Sequence, residues 1–301
     1  MTLLAIGQSQ GQKIDSVSLI ILGNVQDGGS PHIGCQKSCC TQLFEHPDPS
    51  RLVSSLGVVD HSAKKSFLFD ATPDLPQQLK VLKGHANSSK EIPDAIFLTH
   101  AHMGHYTGLM YLGREALGSS EVPVFAMPRM KHFLATNGPW NQLMDLRNIK
   151  ITPILHDRPV DITSNITVIP FLVPHRDEFS ETVGYTIIGP QKTALFIPDI
   201  DKWQKWKRPI IEEIKKVDYA FLDATFYDGN EINNRDIGEI PHPFVIESLE
   251  MFSSLLPEDK AKVHFIHLNH TNPLLQKSSE ATRHVEALGF NIARFEQTFQ
   301  L

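Results

Sequence analysis

The sequence predicts a single α/β domain over residues 1–301, and three observations lead to that fold class. Short apolar runs, each about four to eight residues long, recur along the chain, and most of them end at Gly, Pro or Asp. Segments in which apolar residues follow helical spacing separate these runs. No linker and no change of composition divides the 301 residues, which are enough for one large buried core.

The individual elements follow from these apolar patterns in chain order. Strands are predicted at 18–22, 66–69, 95–98, 122–127, 166–173, 185–188, 193–197, 219–222 and 263–266. Helices are predicted at 75–82, 108–117, 210–217, 243–256 and 278–288. Gly189 and Pro190 predict a turn that joins two of these strands as a hairpin.

Composition argues against two classes of partner. The net charge of −6, without any basic block, disfavours a nucleic-acid-binding surface. No apolar run reaches the ~18 residues needed to cross a bilayer, so we expect no membrane segment. The apolar residues 3–6 follow no basic stretch, which argues against an intact signal peptide, although a chain whose leader had been removed would look the same. We expect a small-molecule or modified-peptide substrate in the cytoplasm, with the oligomeric state left open.

Polar residues stand at the ends of several predicted strands. Asp70, His100, Asp199, Asp223 and His267 each lie at, or directly after, the last residues of a buried apolar run. Side chains at strand ends of an α/β sheet converge on one rim, where binding sites form. The sequence therefore predicts that these five side chains meet.

Three histidines follow the strand at 95–98 within six residues of one another. His100 and His102 are two apart, so in an extended backbone both imidazoles point the same way and can bind one ion. His105 lies at the start of the next helix and can face a second ion. Neutral imidazole suits zinc, iron and manganese alike, so the ligand type leaves the metal open.

At these residues the chain resembles the metallo-β-lactamase superfamily, whose motif after a strand is His-x-His-x-Asp-His. The resemblance implies a four-layer αββα sandwich, with two facing mixed sheets, helices outside and a metal site at one edge. It also implies that His175 completes the first set of histidines, that Asp199 is the bridging carboxylate and that His267 is the final histidine. Asp201 remains an alternative to Asp199; otherwise it would cap the following helix.

The motif departs from the superfamily at one position, because Gly104 stands where the aspartate is expected. Glycine offers no ligand, which leaves His105, His267 and Asp199 for a second ion. We therefore expect one tight ion at the first set of ligands, and a second ion that binds weakly or not at all.

All three cysteines lie in one short segment, as Cys35, Cys39 and Cys40. An odd, clustered set is a poor disulfide framework and a better thiolate metal clip, which also favours a reducing compartment. The segment resembles the entry loop of two superfamily branches that hold a structural zinc there. That resemblance implies His270 as the fourth ligand, with Lys37 in place of the usual middle cysteine. Three buried thiols without a metal remain the alternative.

The two branches are the pyrroloquinoline quinone biosynthesis protein B family and the cyclic-phosphate phosphodiesterases of phosphonate breakdown. Residues 22–29 and 267–275 look most like the first. The resemblance implies a metal-dependent enzyme with Zn, Fe or Mn at its active site, in which Asp199 and His242 serve catalysis. His242 would contact the substrate or protonate the leaving group, unless it is an ordinary loop histidine.

Several reaction types stay open at this stage. The family resemblance allows either hydrolysis or iron-dependent hydroxylation of a tyrosine-derived precursor. The rival functions are a phosphodiesterase that acts on cyclic or nucleotide phosphates and a non-catalytic metal- or ligand-binding carrier that lost activity with the aspartate.

Overall fold

The computed structural model describes residues 16–232 and 237–301. Residues 3–6, on which the signal-peptide expectation rests, lie outside these ranges. The strands of the described chain are β1 (Val17–Gly23), β2 (Ser55–Asp60), β3 (Lys65–Phe69), β4 (Ala95–Phe97), β5 (Val122–Ala126), β6 (Ile149–Pro153), β7 (Val160–Asp161), β8 (Thr167–Leu172), β9 (Val183–Ile188), β10 (Thr193–Ile197), β11 (Tyr219–Asp223), β12 (Val263–Ile266), β13 (Asn291–Ile292) and β14 (Thr298–Gln300). Its helices are α1 (Ser38–Glu45), α2 (Leu75–Ala86), α3 (Met103–Tyr106), α4 (Pro128–Thr136), α5 (Trp140–Asp145), α6 (Ile210–Lys215), α7 (Val245–Met251), α8 (Pro257–Lys260) and α9 (Glu280–Ala287).

The described strands form two mixed sheets of seven strands each. The order in the first sheet is β14-β1-β2-β3-β4-β5-β6, with antiparallel pairs from β14 to β3 and parallel pairs from β3 to β6. The order in the second is β13-β12-β11-β10-β9-β8-β7, parallel from β13 to β10 and antiparallel from β10 to β7. The mixed character expected of the two sheets is confirmed.

Three apolar clusters give the molecule its layers. The middle cluster joins the facing sheets: Leu19 and Phe69 of the first sheet pack with Tyr185, Phe196 and Phe221 of the second. A second cluster packs α2, α4 and α5 on the outer face of the first sheet, and a third packs α6, α7 and α9 on the outer face of the second. Because each sheet buries both faces, its inner strands are predominantly apolar. The predicted αββα arrangement is confirmed.

The parallel parts of the sheets position the functional residues. Strands β3 and β4 of the first sheet run parallel, as do β10, β11 and β12 of the second, so each set ends at one edge of its sheet. The two edges form one rim, because His100 after β4 and Asp199 after β10 belong to one group of donor atoms. The polar residues that follow them are therefore brought together, as the sequence pattern indicated.

Two helix predictions are wrong in extent. Instead of a helix at 108–117, the chain forms a short 3₁₀ helix, Thr107–Leu112, which ends where Gly113 adopts extended backbone. The helix predicted at 243–256 is only α7 followed by a 3₁₀ turn, Phe252–Ser254. Leu256 is extended because it precedes Pro257, whose ring excludes helical backbone at the residue before it.

Several elements carry no apolar pattern strong enough to predict. Strand β2 is wholly buried, yet its sequence SLGVVD contains Ser, Gly and Asp. Helices α1, α4 and α5 and the short strands β6, β7, β13 and β14 were likewise not expected. Among the described residues, no helix combines the length and apolarity that a membrane crossing needs.

Candidate metal centre

Four side chains from different parts of the chain form what we call the first position. His100 and His102 follow β4, His175 follows β8 and Asp199 follows β10; one donor atom of each lies within 4.8 Å of the others. The Nε2 atoms of His100 and His175 each lie 3.3 Å from an Asp199 oxygen, and His102 Nδ1 lies 3.3 Å from His175 Nε2. The structure therefore brings together all four side chains expected around one ion.

A second group, the second position, lies beside the first and shares Asp199 with it. Its members are Asp27, His105, Asp199 and His267, again with donor atoms within 4.8 Å of one another. Asp27 Oδ1 lies 3.0 Å from His105 Nε2 and 3.1 Å from His267 Nε2. Asp199 Oδ2 lies 3.8 Å from His105 Nε2. One carboxylate thus stands between two clusters of imidazoles.

Both positions fit a divalent cation by their chemistry. Within the described residues, His100 Nε2, His105 Nε2 and Asp199 Oδ1 are buried, and none of them makes a hydrogen bond of acceptable geometry with the polar atoms nearby. Buried polar atoms without partners are costly, and several that converge on one point fit an ion held between them. Burial raises the pKa of Asp199, but His175, His242 and His267 outweigh it and hold the pKa well below its usual range. The carboxylate is therefore ready as a ligand.

Asp27 is the functional residue that the sequence interpretation missed. A Cβ placed on Gly104 would lie 2.4 Å from Asp27 Oδ1 and 2.7 Å from Asp27 Cα, so Asp27 fills the space that a side chain at 104 would need. Burial opposes ionisation of Asp27, yet His105 and His267 hold its pKa well below the usual value. The premise that Gly104 leaves the second position without its aspartate is therefore wrong: the carboxylate comes from the loop after β1.

A signal for Asp27 was present in the sequence. Like Asp70, Asp199 and Asp223, it follows shortly after a buried apolar strand, since β1 ends at Gly23. Polar residues that follow buried strands converge on one rim, and by its place after β1 Asp27 is such a residue.

Asp70 orients one of the imidazoles from behind. Its Oδ2 lies 2.7 Å from His105 Nδ1 and accepts the Thr99 hydroxyl at 2.9 Å, while its Oδ1 accepts the Thr99 N–H at 2.8 Å. Burial lowers the pKa of His105, but Asp70 and Asp27 together raise it well above its usual value. A carboxylate on the far nitrogen fixes the tautomer and orientation of a ligating histidine.

Asp223 supports the opposite side of the centre. Its Oδ2 lies 2.9 Å from His242 Nδ1, and its Oδ1 accepts the Thr225 hydroxyl at 2.7 Å. Thr225 in turn lies 2.9 Å from His267 Nδ1. His242 Nδ1 also lies 3.1 Å from Asp199 Oδ1, so this histidine belongs to the buried centre rather than to a surface loop. Burial alone would lower the pKa of His242, but Asp223 and Asp199 raise it to about 10.

Asp201 lies outside both positions. Its carboxylate pairs with Lys205 at 2.7 Å and accepts the Lys202 N–H at 2.7 Å. Of the two aspartates that the sequence left as alternatives, the structure places Asp199 in the centre.

The thiols form a separate group, the cysteine cluster. Cys35, Cys39, Cys40 and His270 have donor atoms within 4.8 Å of one another, so both adjacent cysteines join the group. Burial and the neighbouring Cys40 raise the pKa of Cys39 to about 12, which a bound cation would reverse because it favours the thiolate. Cys39 also lines a cavity of about 630 Å³, which lies beside this cluster and is not lined by the histidines of the metal centre. Three thiols and one imidazole fit a tetrahedral zinc site.

Part of the metal centre is exposed, and we call the exposed part its open edge. The side chains of His105, His175 and His267 are fully buried, whereas those of His102, Asp27 and His242 retain 13%, 13% and 11% exposure. Next to His102, Met103 is exposed, and Glu178, which reaches His102, is followed by exposed Phe179. Exposed apolar side chains therefore lie next to the first position.

Known proteins share this sequence pattern and fold. Residues 65–267, more than half of the chain, match the β-lactamase superfamily domain. Coenzyme PQQ synthesis protein B of Gluconobacter oxydans is 24% identical, across 95% of this chain and 99% of that protein. The crystal structure of Zn²⁺-bound PqqB from Methylobacterium extorquens is similar with a TM-score of 0.74 at 21% identity, covering 94% of this chain and 100% of that one. A diphosphatase of the PhnP family has a TM-score of 0.66 at 22% identity, with 95% and 97% covered.

Proposed function

This chain belongs to the metallo-β-lactamase superfamily, and from that premise we propose that it is a metal-dependent hydrolase related in function to coenzyme PQQ synthesis protein B. The observation that carries the proposal is the pair of four-ligand positions that share Asp199. When bound there, Zn²⁺, Fe²⁺ or Mn²⁺ lowers the pKa of a coordinated water and polarises the substrate's carbonyl or phosphoryl oxygen.

The residues of the centre would have two roles, metal binding and orientation of the ligands. His100, His102, His175 and Asp199 would hold one ion, and Asp27, His105, His267 and Asp199 another. Asp70 would keep His105 oriented by accepting a hydrogen bond from its far nitrogen. Asp223 would orient His267 through the Thr225 hydroxyl and would hold His242 directly.

His242 is the proposed proton donor. Two carboxylates keep its imidazole protonated, with the pKa raised to about 10 despite burial. A cation nearby would bring that pKa back toward neutrality, the range in which an imidazole donates and accepts protons readily. Its partial exposure at the open edge supports contact with the leaving group.

The substrate we propose is a small molecule or modified peptide of the kind that PQQ synthesis involves. Support comes from the similarity to PQQ synthesis protein B over nearly the whole chain and from the exposed Met103 and Phe179 at the open edge. An apolar part of the substrate would lie against these side chains while its reacting bond faces Asp199.

A phosphodiester is the second candidate substrate, and the shared carboxylate also favours it. Two cations held close together stabilise both the attacking and the leaving oxygen of a phosphoryl transfer. Asp27 supplies a carboxylate where the carrier alternative assumed that one was missing, and this supports an enzyme over a carrier.

The test is turnover by protein reconstituted with Zn²⁺, Mn²⁺ or Fe²⁺ after EDTA treatment. Substrates should include bis-p-nitrophenyl phosphate, p-nitrophenyl esters and a tyrosine-containing peptide, the last also assayed for oxygen consumption under air. We expect metal-dependent hydrolysis that His100→Ala abolishes. His132→Ala, on the exposed surface of α4, is the matched control and should leave the rate unchanged.

The outcomes separate the alternatives. Hydrolysis confined to the phosphodiester would favour the phosphodiesterase. Oxygen consumption that requires Fe²⁺, without any hydrolysis, would replace the hydrolase with the hydroxylase. Full activity in His100→Ala would contradict the metal centre itself.

A further inference from the structure

The segment between β1 and α1 contributes to both metal-binding groups. Asp27 of the second position lies near its beginning, and Cys35 of the cysteine cluster lies near its end. Cys39 and Cys40 follow in α1, which begins at Ser38. In the usual superfamily motif the aspartate lies beside the histidines, but here it has moved onto the segment that carries the thiols.

Direct contacts run along this segment from one group to the other. A Cβ on Gly28, the residue after Asp27, would lie 2.5 Å from the His32 ring, so the two are closely packed. The His32 N–H donates to Cys40 Sγ at 3.3 Å, and the His32 ring stacks on His270 with centroids 4.3 Å apart. Asp27 is thus connected to two members of the cysteine cluster through His32.

The loop after β12 repeats this double role. His267 belongs to the second position and His270, three residues later, belongs to the cysteine cluster. Between them, Leu268 donates its N–H to Asn24 O at 2.7 Å and accepts the Gln26 N–H at 2.9 Å. Two backbone segments, hydrogen-bonded to each other, therefore supply all four members of the cysteine cluster and two of the four members of the second position.

We propose that metal binding at the cysteine cluster and metal binding at the second position are positively coupled through the Asp27–Cys40 segment. The inference rests on the proposed function only in that the second position must bind an ion. An ion held by three thiolates and His270 would fix the position of Cys35–Cys40 at the far end of the segment. Because His32 contacts Cys40, His270 and Gly28, this would also fix the position of the Asp27 carboxylate. By linkage, an ion bound at the second position raises the metal affinity of the cysteine cluster by the same factor.

The experiment is a Co²⁺ titration by calorimetry, with the ions counted by native mass spectrometry. The binding step that disappears in Asp27→Asn, while the cysteine-cluster ion stays, identifies the second position. We expect that step to weaken about tenfold when the cysteine cluster is emptied by Cys35→Ser/Cys40→Ser, in line with typical coupling between sites. Gln36→Ala, an exposed change in the same segment, is the matched control and should have no effect.

A second variant makes the route specific. Asp27→Gly/Gly104→Asp returns the carboxylate to α3. The variant has three consecutive glycines at 27–29, so the loop can move to make room for the new side chain at 104. In this background, emptying the cysteine cluster should weaken the second step markedly less than in the natural chain. Equal weakening in both backgrounds would exclude Asp27 as the route.

The failures are distinguishable. If no variant shows a second step, both the second position of the proposed function and the coupling are refuted. If the second step is present but its affinity is unchanged with the cysteine cluster empty, only the coupling is refuted. Circular dichroism checks that each variant is folded, and His270→Gln, which leaves all thiols in place, replaces the double serine variant if that one unfolds.

Discussion

Protonation of His264 should make the fold acid-sensitive for a reason unrelated to the metal centre. His264 lies on β12, buried among the rings of Phe221, Phe299 and Tyr219. Its Nδ1 has no hydrogen-bond partner among the described residues. Burial lowers its pKa from 6.5 to about 4.

The sign and size follow from linkage. Because the folded-state pKa is the lower one, the unfolded chain binds the proton first, and stability is lost as the pH falls below 6.5 toward 4. At about pH 5 the loss relative to about pH 7.5 is ~2 kcal/mol, from a shift of 6.5 to about 4. Above the unfolded pKa the effect vanishes.

The assay is urea unfolding of the natural chain and of His264→Leu at both pH values, with equal metal content. The substitution changes packing at both pH values alike, so the informative quantity is the difference in pH dependence between the two proteins. We expect His264→Leu to lose ~2 kcal/mol less than the natural chain on acidification. His132→Leu, exposed on α4, controls for removal of a surface imidazole. Identical pH dependence in all three proteins would refute the reasoning.

Three further predictions follow from the same structure. Asp70→Asn should weaken metal binding about 10–100-fold without unfolding the chain, because Asp70 orients His105. Calorimetry measures this affinity, and an unchanged value would contradict the role of Asp70. Gly108→Ala should destabilise by ~1–3 kcal/mol, since its Cβ would lie 2.1 Å from Thr72 O. Gly84→Ala, in helix α2 with nothing within 4 Å, should instead stabilise by ~0.5–1 kcal/mol, and thermal unfolding that ranked the two the other way would be inconsistent with the packing. Removal of metal by EDTA should lower the melting temperature, and graded Zn²⁺ should restore it, because ions that bind only the folded state stabilise it by mass action.

The sequence was sufficient wherever a signal is local. His100, His102 and His105 lie within six residues of one another after a strand, so their spacing alone indicates a metal site. The apolar runs located most of the longer inner strands, because a strand buried on both faces is predominantly apolar. The sequence also shows that Gly104 replaces the aspartate of the motif. It does not show that another residue, Asp27, fills the space that this replacement leaves.

Only the tertiary structure could supply Asp27. The residue lies far from Gly104 along the chain, and a carboxylate can serve as a ligand only where folding brings its oxygens close to the other donor atoms. Asp27 Oδ1 meets this condition, because it lies 3.0 Å from His105 Nε2 and 3.1 Å from His267 Nε2. The same holds for Asp199 over Asp201, and for Cys39 and Cys40 joining one cluster, since neighbours in sequence can face different ways. Sequence therefore determined the types of ligand and most of their positions, whereas the fold decided which carboxylate completes the centre and that one segment serves both metal-binding groups.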